Sequence, residues 1–474
     1  MNTTLQSKSP FKKWLSLAII LLPNLMISLN TYMLQIGLPI IQKDLHASFS
    51  DAQLILSGYA IGLATTLMIS GKLGDLFGRK RLLTIGVTGF FFMALIGGLT
   101  HSIFILIVVR LFQGIFGACI QPQVLVLMKS NFAKEEQPLV FSIYGAMIGI
   151  GFTFGLMLGG FIIHLNTFNL GWRNIFFVNM PLCLVILLGL KLIDETIVEE
   201  NKAFDIIGSS LFIGSILLCV LSLFTLAKST TPLRELGLIG LAIILFIVFF
   251  HYEKKKKLAT KPHLIDFAIF KEKNFATGML AVIFVYINMF SLFFLITYYA
   301  QNGLDYTVPQ TSLVFLPLGL SFIATSLLSA RWVRKKGNFV LIWGAALMGV
   351  STISLCLSVK ITPQLLAPQN ILLLFLYGAA LGMTTTPLVG IVLIDLKAQF
   401  AGIGAAMLNT IMYLANALGV CFISFIFSKL LAANTYSTQL DNYTFSFSKS
   451  LIATAVFAGL TTCMLMKMTL QKHK

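Results

Sequence analysis

The sequence predicts an all-α polytopic membrane protein, and three observations support this fold class. Hydrophobic residues make up 57% of the 474 residues and charged residues only 11%, whereas soluble domains are about 25% charged. The mean hydropathy is +0.90. The apolar runs are continuous and lack the alternation of barrel strands, so we expect helices that satisfy their backbone polar groups internally.

Apolar runs separated by polar breaks predict fourteen membrane spans, because about 20 apolar residues are needed to cross a bilayer. The spans fall at roughly 14–41, 51–70, 82–100, 103–128, 139–163, 174–193, 205–227, 233–251, 275–300, 310–330, 339–359, 370–394, 401–432 and 450–468. The first run is too long for a signal peptide and has no small-residue cleavage site, so we interpret it as a span. The eighth is short and begins with Arg234 and Glu235.

The distribution of positive charge supports this count and predicts an orientation. With the N-terminus inside, inner loops receive 26 of the 34 Lys and Arg residues and outer loops seven, while Arg110 stays inside the fourth span. Cytoplasmic loops collect Lys and Arg, so both termini are expected in the cytoplasm of a multi-pass cell-membrane protein. Omitting the eighth span would move Lys254–Lys257 to the outer side.

Two long polar breaks, at about 194–205 and 251–274, divide the spans into groups of six, two and six. We therefore predict an N-terminal six-helix bundle at 1–193, two additional spans with cytoplasmic linkers at 194–274, and a C-terminal six-helix bundle at 275–474.

The break after the second span reads GKLGDLFGRKR, from Gly71 to Arg81. Glycines allow a tight turn and close helix approach, and Asp75 can sit at a helix N-terminus or pair with a neighbouring arginine. This pattern, G-x-L-x-D-x-x-G-R-K/R at this place in the chain, resembles the signature loop of the major facilitator superfamily. Residues 110–114, RLFQG, resemble the R-x-x-Q-G motif of the same superfamily.

Further segments extend the resemblance from the first span to the thirteenth. Residues 172–181, WRNIFFVNMP, resemble the W-R-x-I-F-x-x-N-x-P segment of the fourteen-helix drug-exporter branch, and residues 29–39 resemble that branch's first helix. The fifth span carries glycines spaced like the glycine-rich motif of the superfamily's antiporters, namely Gly151, Gly155, Gly159 and Gly160. Exporters of quaternary-ammonium compounds and tetracycline are the best-known members of this branch.

The resemblance implies two pseudo-symmetric six-helix bundles plus two extra central helices, with a substrate site between the bundles and alternating access to it. It implies that the signature loop acts as a conformational latch formed by Gly71, Gly74, Asp75, Gly78 and Arg79. It also implies cavity-lining or coupling residues on helices 1, 4, 9 and 13, which line the cavity in family members. The polar candidates are Asn30, Gln35, Arg110, Gln113, Asn288 and Asn409; each can alternatively serve as interhelical hydrogen-bonding glue.

Several positions depart from the family pattern. Proton-coupled exporters carry an Asp in helix 1 where this chain has Asn30, and none of the 17 acidic residues is predicted near the membrane midplane. Arg110 is the one charge predicted deep in the membrane. It either binds an anionic substrate group or takes part in gating, or it braces helices 1 and 4. Leu156 replaces a proline of the helix-5 motif, and the second copy of the signature loop has Arg334 in place of an acidic residue.

These observations predict a secondary active transporter that exports small amphipathic compounds by alternating access. One alternative is a facilitator or exporter of lipid-like or fatty-acid-like molecules without proton coupling, which fits the missing carboxylates. A more remote alternative is a receptor or scaffold that has lost transport. We expect a monomer whose partners are a small-molecule substrate and the lipid bilayer. We expect no enzymatic activity, metal, cofactor, nucleotide or nucleic acid.

Overall fold

The structure is a computed structural model, and it describes residues 10–133, 135–193, 195, 205–226, 232–258, 264–272, 274–394, 396–397, 400–433 and 436–472. Within these ranges the secondary structure is helical, without a β-strand. The first nine helices are α1 (Pro10–Asp44), α2 (Phe49–Phe77), α3 (Arg79–Leu99), α4 (Ile103–Asn131), α5 (Gln137–Leu165), α6 (Asn174–Phe177), α7 (Asn179–Gly189), α8 (Ile206–Leu226) and α9 (Pro232–Leu258).

The remaining helices are α10 (Phe275–Tyr298), α11 (Val308–Lys336), α12 (Phe339–Ile361), α13 (Pro368–Ile394), α14 (Ala401–Ala432) and α15 (Gln439–Lys472). Short 3₁₀ turns flank α6 and α7, and a π-helical turn, Tyr299–Gly303, follows α10. Helices α6 and α7 together form the predicted sixth span. The helix is interrupted between them, because Pro181 has no amide hydrogen to donate to the carbonyl four residues earlier.

The helices make this a multi-pass membrane protein. Twelve helical segments among the described residues are long and apolar enough to cross a membrane, and two shorter apolar helices lie at the predicted fifth and seventh spans, Ile150–Leu165 and Ile206–Ser222. In the most apolar 18-residue stretch of Leu233–Leu258, only 17% of the residues are buried within the protein, although the mean hydropathy of that stretch is 2.4. An apolar surface this continuous is suited to lipid, because soluble proteins rarely expose large apolar patches.

The chain forms two compact units. The first comprises Met1–Leu34, Leu54–Gly155 and Leu165–Asp266, and the second comprises Gln35–Gln53, Leu156–His164 and Phe267–Lys474. Helices α8 and α9 are grouped with the first unit. The predicted three-part division stays a prediction, and most of its linker at 194–204 lies outside the described residues.

Glycines allow close helix contacts in each unit. In the first unit a Cβ on Gly114 of α4 would lie 2.2 Å from the carbonyl oxygen of Tyr59 on α2, so only glycine permits this approach. In the second unit a Cβ on Gly378 of α13 would lie 2.1 Å from the carbonyl oxygen of Leu318 on α11. Both units therefore depend on backbone-to-backbone packing between neighbouring helices.

The predicted break at Gly71–Arg81 is not a loop. Helix α2 continues to Phe77 and α3 begins at Arg79, so Gly71, Gly74 and Asp75 are helical and Gly78 alone joins the two helices. Gly78 has a φ of 94°, which glycine adopts without steric cost. The prediction was wrong here because hydropathy marks the apolar part of a helix, whereas helical hydrogen bonding continues into polar surroundings.

The same cause shifts other predicted boundaries. Helix α9 ends at Leu258 instead of 251, so Glu253 and the lysines 254–257 belong to its last turns. Helix α15 starts at Gln439, well before the predicted 450. Gly337, three residues after Arg334 in the second copy of the signature loop, has a positive φ of 63°, as Gly78 does, and follows the last residue of α11.

Candidate functional site

Among the described residues of the first unit, Arg110 is the largest charged side chain that is fully buried, with an exposed fraction of 0%. Its Nε donates to the carbonyl oxygen of Ile55 at 3.2 Å, and its Nη1 donates to Oε1 of Gln113 at 2.8 Å. The guanidinium carbon lies 4.2 Å from the centroid of the Tyr59 ring. Among the described residues no carboxylate pairs with Arg110, so neutral groups and an aromatic face hold the charge.

A second pair of buried amides lies beyond Tyr59. The Tyr59 hydroxyl faces Asn30 on α1. Nδ2 of Asn179 lies 3.3 Å from Oδ1 of Asn30 and 2.9 Å from the carbonyl oxygen of Ile175, and donates to both. Asn30 and Asn179 each have an exposed fraction of 0%. We call Asn30, Tyr59, Arg110, Gln113 and Asn179 the Arg110 network.

The Arg110 network contains polar atoms that are buried and have no hydrogen-bond partner. They are Nδ2 of Asn30, the Tyr59 hydroxyl, Nη2 of Arg110, Nε2 of Gln113 and Oδ1 of Asn179. Leaving a buried polar group unpaired costs about 1–3 kcal/mol. Three of the five are nitrogen donors, so the network is suited to a ligand that presents oxygen acceptors.

The structure brings together Asn30, Arg110 and Gln113 of the predicted site residues. It adds Tyr59 and Asn179, which the sequence analysis did not assign to the site. Asn179 belongs to the WRNIFFVNMP segment, so its signal was present in the sequence. Tyr59 sits in an ordinary apolar run and gave no signal of its own.

The other three predicted site residues belong to the second unit. Asn288 is fully buried and hydrogen-bonded at both ends: Nδ2 donates to the carbonyl oxygen of Thr454, and Oδ1 accepts from the Tyr377 hydroxyl, both at 2.6 Å. Asn409 is half-buried and donates to the carbonyl oxygen of its own helix, at Ala405. Gln35 is 2% exposed and its Nε2 has no partner.

Of the predicted latch residues, Gly74, Asp75 and Arg79 lie in a connected group at the end of α2, whereas a Cβ on Gly71 would have no atom within 4 Å. Arg79 forms an ion pair with Asp75 one turn earlier. Its Nη1 also donates to Oε1 of Gln123 on α4 at 2.9 Å, and Nε2 of Gln123 donates to the carbonyl oxygen of Ser70 at 3.0 Å. A Cβ on Gly74 would lie 2.3 Å from Oε1 of Gln123, so glycine leaves room for this bridge.

An acidic residue from the predicted polar break at 194–205 completes this group. The carboxylate of Glu195 accepts hydrogen bonds from the backbone amides of Lys80 and Arg81, at 2.8 and 2.9 Å. It therefore caps the N-terminus of α3, where a negative charge is favoured by the helix dipole. A Cβ on Gly78 would lie 3.0 Å from both carboxylate oxygens. Asp75, considered for such a cap, pairs with Arg79 instead.

The helix-5 glycines lie against other helices. In the first unit a Cβ on Gly151 would lie 2.3 Å from Cβ of Ser28, and one on Gly155 would lie 2.9 Å from Cβ of Tyr32. In the second unit a Cβ on Gly160 would lie 2.0 Å from Oγ of Ser312. Gly159 is buried. Helix α5 runs unbroken through Leu156, whose amide hydrogen is available for helical hydrogen bonding where a proline would have none.

The chain is similar to known resistance and transport proteins in sequence and to solved transporter structures in fold. The puromycin resistance protein of Streptomyces alboniger is 28% identical over 426 residues, covering 89% of this chain and 83% of that protein. The riboflavin transporter RibZ of Clostridioides difficile is 27% identical, covering 95% and 96% of the two chains. The crystal structure of a bacterial homolog of the human lysosomal transporter Spinster, inward-facing and unoccupied, matches with a TM-score of 0.70 at 15% identity, covering 98% of both chains. The sequence profile of the Major Facilitator Superfamily matches residues 20–420, and this chain belongs to that superfamily.

Proposed function

We propose that this transporter is a secondary active exporter of small amphipathic compounds that works by alternating access, and that the Arg110 network contacts the substrate. The observation that carries this proposal is the buried guanidinium of Arg110, which has no acidic partner among the described residues and one nitrogen without a hydrogen bond. A purely structural brace would be expected to satisfy all its donors, because buried unpaired groups are costly. A ligand acceptor arriving at Nη2 would remove that cost.

The relatives support export of organic compounds. Several are named for antibiotic resistance or export, including the puromycin resistance protein and the tetracenomycin C resistance and export protein of Streptomyces glaucescens. The latter is 28% identical and covers 86% of this chain and 74% of that protein. The fourteen-span arrangement and the cytoplasmic position of both termini are part of the same proposal, supported by the charge distribution.

The same arginine favours one class of amphiphile over another. A fixed positive charge without a carboxylate repels a cationic ligand and attracts an anionic or acceptor-rich one. We therefore propose that the preferred substrates are anionic or neutral amphiphiles, fatty-acid-like compounds among them. We also propose that no carboxylate at the membrane midplane carries a proton during transport. Of the predicted polar residues, Asn288 is hydrogen-bonded at both its amide nitrogen and its amide oxygen within the second unit, which supports a structural role for it.

The test measures transport by purified protein in liposomes. Three amphiphiles with the same tail and an anionic, a neutral or a cationic headgroup are compared, each with and without an imposed pH gradient. We expect the wild type to prefer the anionic and neutral compounds. Arg110→Gln is expected to lower anionic transport about tenfold, because a hydrogen bond to a charged group contributes about 1.5–3 kcal/mol.

The matched control is Arg173→Gln, since Arg173 also stacks on an aromatic ring, that of Trp172, but lies outside the Arg110 network. It should leave the headgroup preference unchanged. Equal loss of all three compounds in Arg110→Gln would instead support a structural brace. A wild type that transports only the cationic compound would contradict the proposed substrate class.

A further inference from the structure

Two buried carboxyl groups meet where α8 begins and α9 ends, on the side predicted to be cytoplasmic. Asp205 immediately precedes α8 and is 2% exposed, and Glu253 lies in the last turns of α9 and is 0% exposed. Carboxylates are almost never this buried unless they are paired or protonated. Both residues lie in the first unit.

One oxygen of each carboxyl group has an ordinary structural role. Oδ1 of Asp205 accepts a hydrogen bond from the Gly208 amide at 2.9 Å, so Asp205 is the N-cap of α8. The same oxygen accepts from Nζ of Lys256 at 2.8 Å. Oε2 of Glu253 accepts from the amides of Leu264 and Ile265, at 2.5 and 2.8 Å. Capping of α8 thus accounts for Oδ1 of Asp205, and hydrogen bonding to the segment after α9 accounts for Oε2 of Glu253.

The second oxygen of each group has no such role. Oδ2 of Asp205 and Oε1 of Glu253 are buried and have no hydrogen-bond partner. Both point to the same place, because a Cβ on Gly208 would lie 2.7 Å from the first and 2.4 Å from the second. Two ionised oxygens facing each other in a buried site repel, and a single proton between them turns the repulsion into a hydrogen bond.

The structure assigns a proton-binding site to this pair: Glu253 carries the proton on Oε1 and donates it to Oδ2 of ionised Asp205. This arrangement satisfies every oxygen of both groups. The carbonyl oxygen of the Glu253 acid accepts the two backbone amides, and Asp205 accepts from Gly208, Lys256 and Glu253. When two carboxyl groups are buried together, they are expected to share one proton, because two adjacent negative charges would repel each other.

The surrounding charges are consistent with this division. Burial alone would raise the pKa of the Asp205 carboxyl, but hydrogen bonds from Lys256 and the Gly208 amide hold that pKa below its ordinary value. Asp205 is therefore the ionised partner. The other polar groups facing the pair are the Tyr252 hydroxyl, 3.4 Å from Oδ1 of Asp205, and Lys72 on α2, whose charge interacts with both carboxyls and with Asp75.

Lys72 lies between Gly71 and Gly74 of the predicted latch, so proton loss from the pair has a consequence there. Deprotonation adds one negative charge beside Lys72 and strengthens its attraction to the α8–α9 junction. The proton thereby links pH to the segment that carries the Asp75–Arg79 ion pair. Any effect of this link on transport rests on the proposed function, whereas the protonation of Glu253 does not.

Infrared difference spectroscopy of the purified full-length protein tests the assignment without requiring transport. The spectrum at neutral pH should contain the carbonyl stretch of a protonated carboxylic acid. This band should disappear from the spectrum as the pH rises. Glu253→Gln should lose this band. The control Glu272→Gln removes a carboxylate whose partner, Lys397, is exposed, and should keep the band. A wild type without the band, or a band retained in Glu253→Gln, would overturn the assignment.

Thermal unfolding across pH provides a second measurement. The folded chain binds the shared proton more tightly than the unfolded chain, so wild-type stability should fall as pH rises through the titration of the pair. The side-chain amide introduced by Glu253→Gln can donate to Oδ2 of Asp205 at every pH, so this variant should stay folded and lose the pH dependence. Sodium-dependent stabilisation at fixed pH in the wild type, absent from Glu253→Gln, would identify a bound cation and overturn the proton assignment.

Discussion

The guanidinium of Arg110 lies over the Tyr59 ring, with its central carbon 4.2 Å from the ring centroid. A desolvated cation–π contact of this kind contributes about 2 kcal/mol or more. It explains how a positive charge is held on α4 without a carboxylate partner among the described residues. The same contact keeps Arg110 beside Asn30, which the Tyr59 hydroxyl faces. Tyr59 is therefore a positioning residue for Arg110.

Substitutions at Tyr59 separate the ring from the hydroxyl. Tyr59→Leu should destabilise the protein by about 2 kcal/mol because the cation–π contact is lost, and it should lower export of anionic amphiphiles. Tyr59→Phe keeps the ring and removes only the hydroxyl that faces Asn30. It should retain the stability and most of the export. Thermal unfolding in detergent and liposome transport measure the two effects; equal losses in both variants would contradict the role given to the ring.

The junction between α2 and α3 is expected to tolerate no side chain at position 78. Gly78→Ala introduces a Cβ at a positive φ, which costs about 1–2 kcal/mol in an L-residue, and places it 3.0 Å from the Glu195 carboxylate. Gly337→Ala is the matched control, because Gly337 also has a positive φ but no atom within 4 Å of its Cβ position. Gly78→Ala should lower the unfolding midpoint and transport more than Gly337→Ala does.

A double variant assigns the cause of that difference. Adding Glu195→Ala to Gly78→Ala removes the close approach and also the cap of α3. If the close approach dominates, the double variant should be more stable than Gly78→Ala alone. If Gly78→Ala and Gly337→Ala behave alike, backbone strain accounts for the whole effect and the contact with Glu195 does not matter.

The latch residues were predicted from the resemblance of Gly71–Arg81 to the superfamily's signature loop. The sequence did not predict the cap by Glu195, because this residue is 115 and 114 positions away from the two residues whose amides it accepts. Its hydrogen bonds come from backbone amides, which every non-proline residue has, so the donors have no sequence pattern. It also placed Glu253 in a loop. Hydropathy falls at the polar end of α9, although the helix continues there.

The Arg110 network was predicted in part for a similar reason. Arg110 and Gln113 are polar residues in an apolar run, and a charge in such a run has few structural explanations. Their grouping depends on Gly114, whose missing side chain lets α4 approach Tyr59 on α2. Such a tertiary contact has no local signature. Asn288 was predicted from the same kind of pattern, but its hydrogen bonds to Thr454 and Tyr377 satisfy it internally.

Asn30 is the position at which proton dependence can be introduced. Asn30→Asp keeps the oxygen that accepts from Asn179 and adds a buried ionisable group close to Tyr59. We expect transport by this variant to respond to an imposed pH gradient more strongly than wild-type transport, because a buried carboxylate is a proton carrier. Asn30→Ala removes the amide without adding a carboxyl and controls for its loss. A variant whose response equals that of the wild type would contradict this role of position 30.

The contact between α5 and α1 at Gly151 and Ser28 is expected to limit helix movement. A Cβ on Gly151 would lie 2.3 Å from Cβ of Ser28, so Gly151→Ala forces the helices apart. Overpacking of this kind typically costs about 1–3 kcal/mol. We expect a lower unfolding midpoint and slower transport, and partial recovery in the double variant Ser28→Gly with Gly151→Ala, which removes the opposing atom. Gly214→Ala on α8, where a Cβ has no neighbour within 4 Å, should have little effect. Lack of recovery in the double variant would show that Gly151 is needed for a reason other than its contact with Ser28.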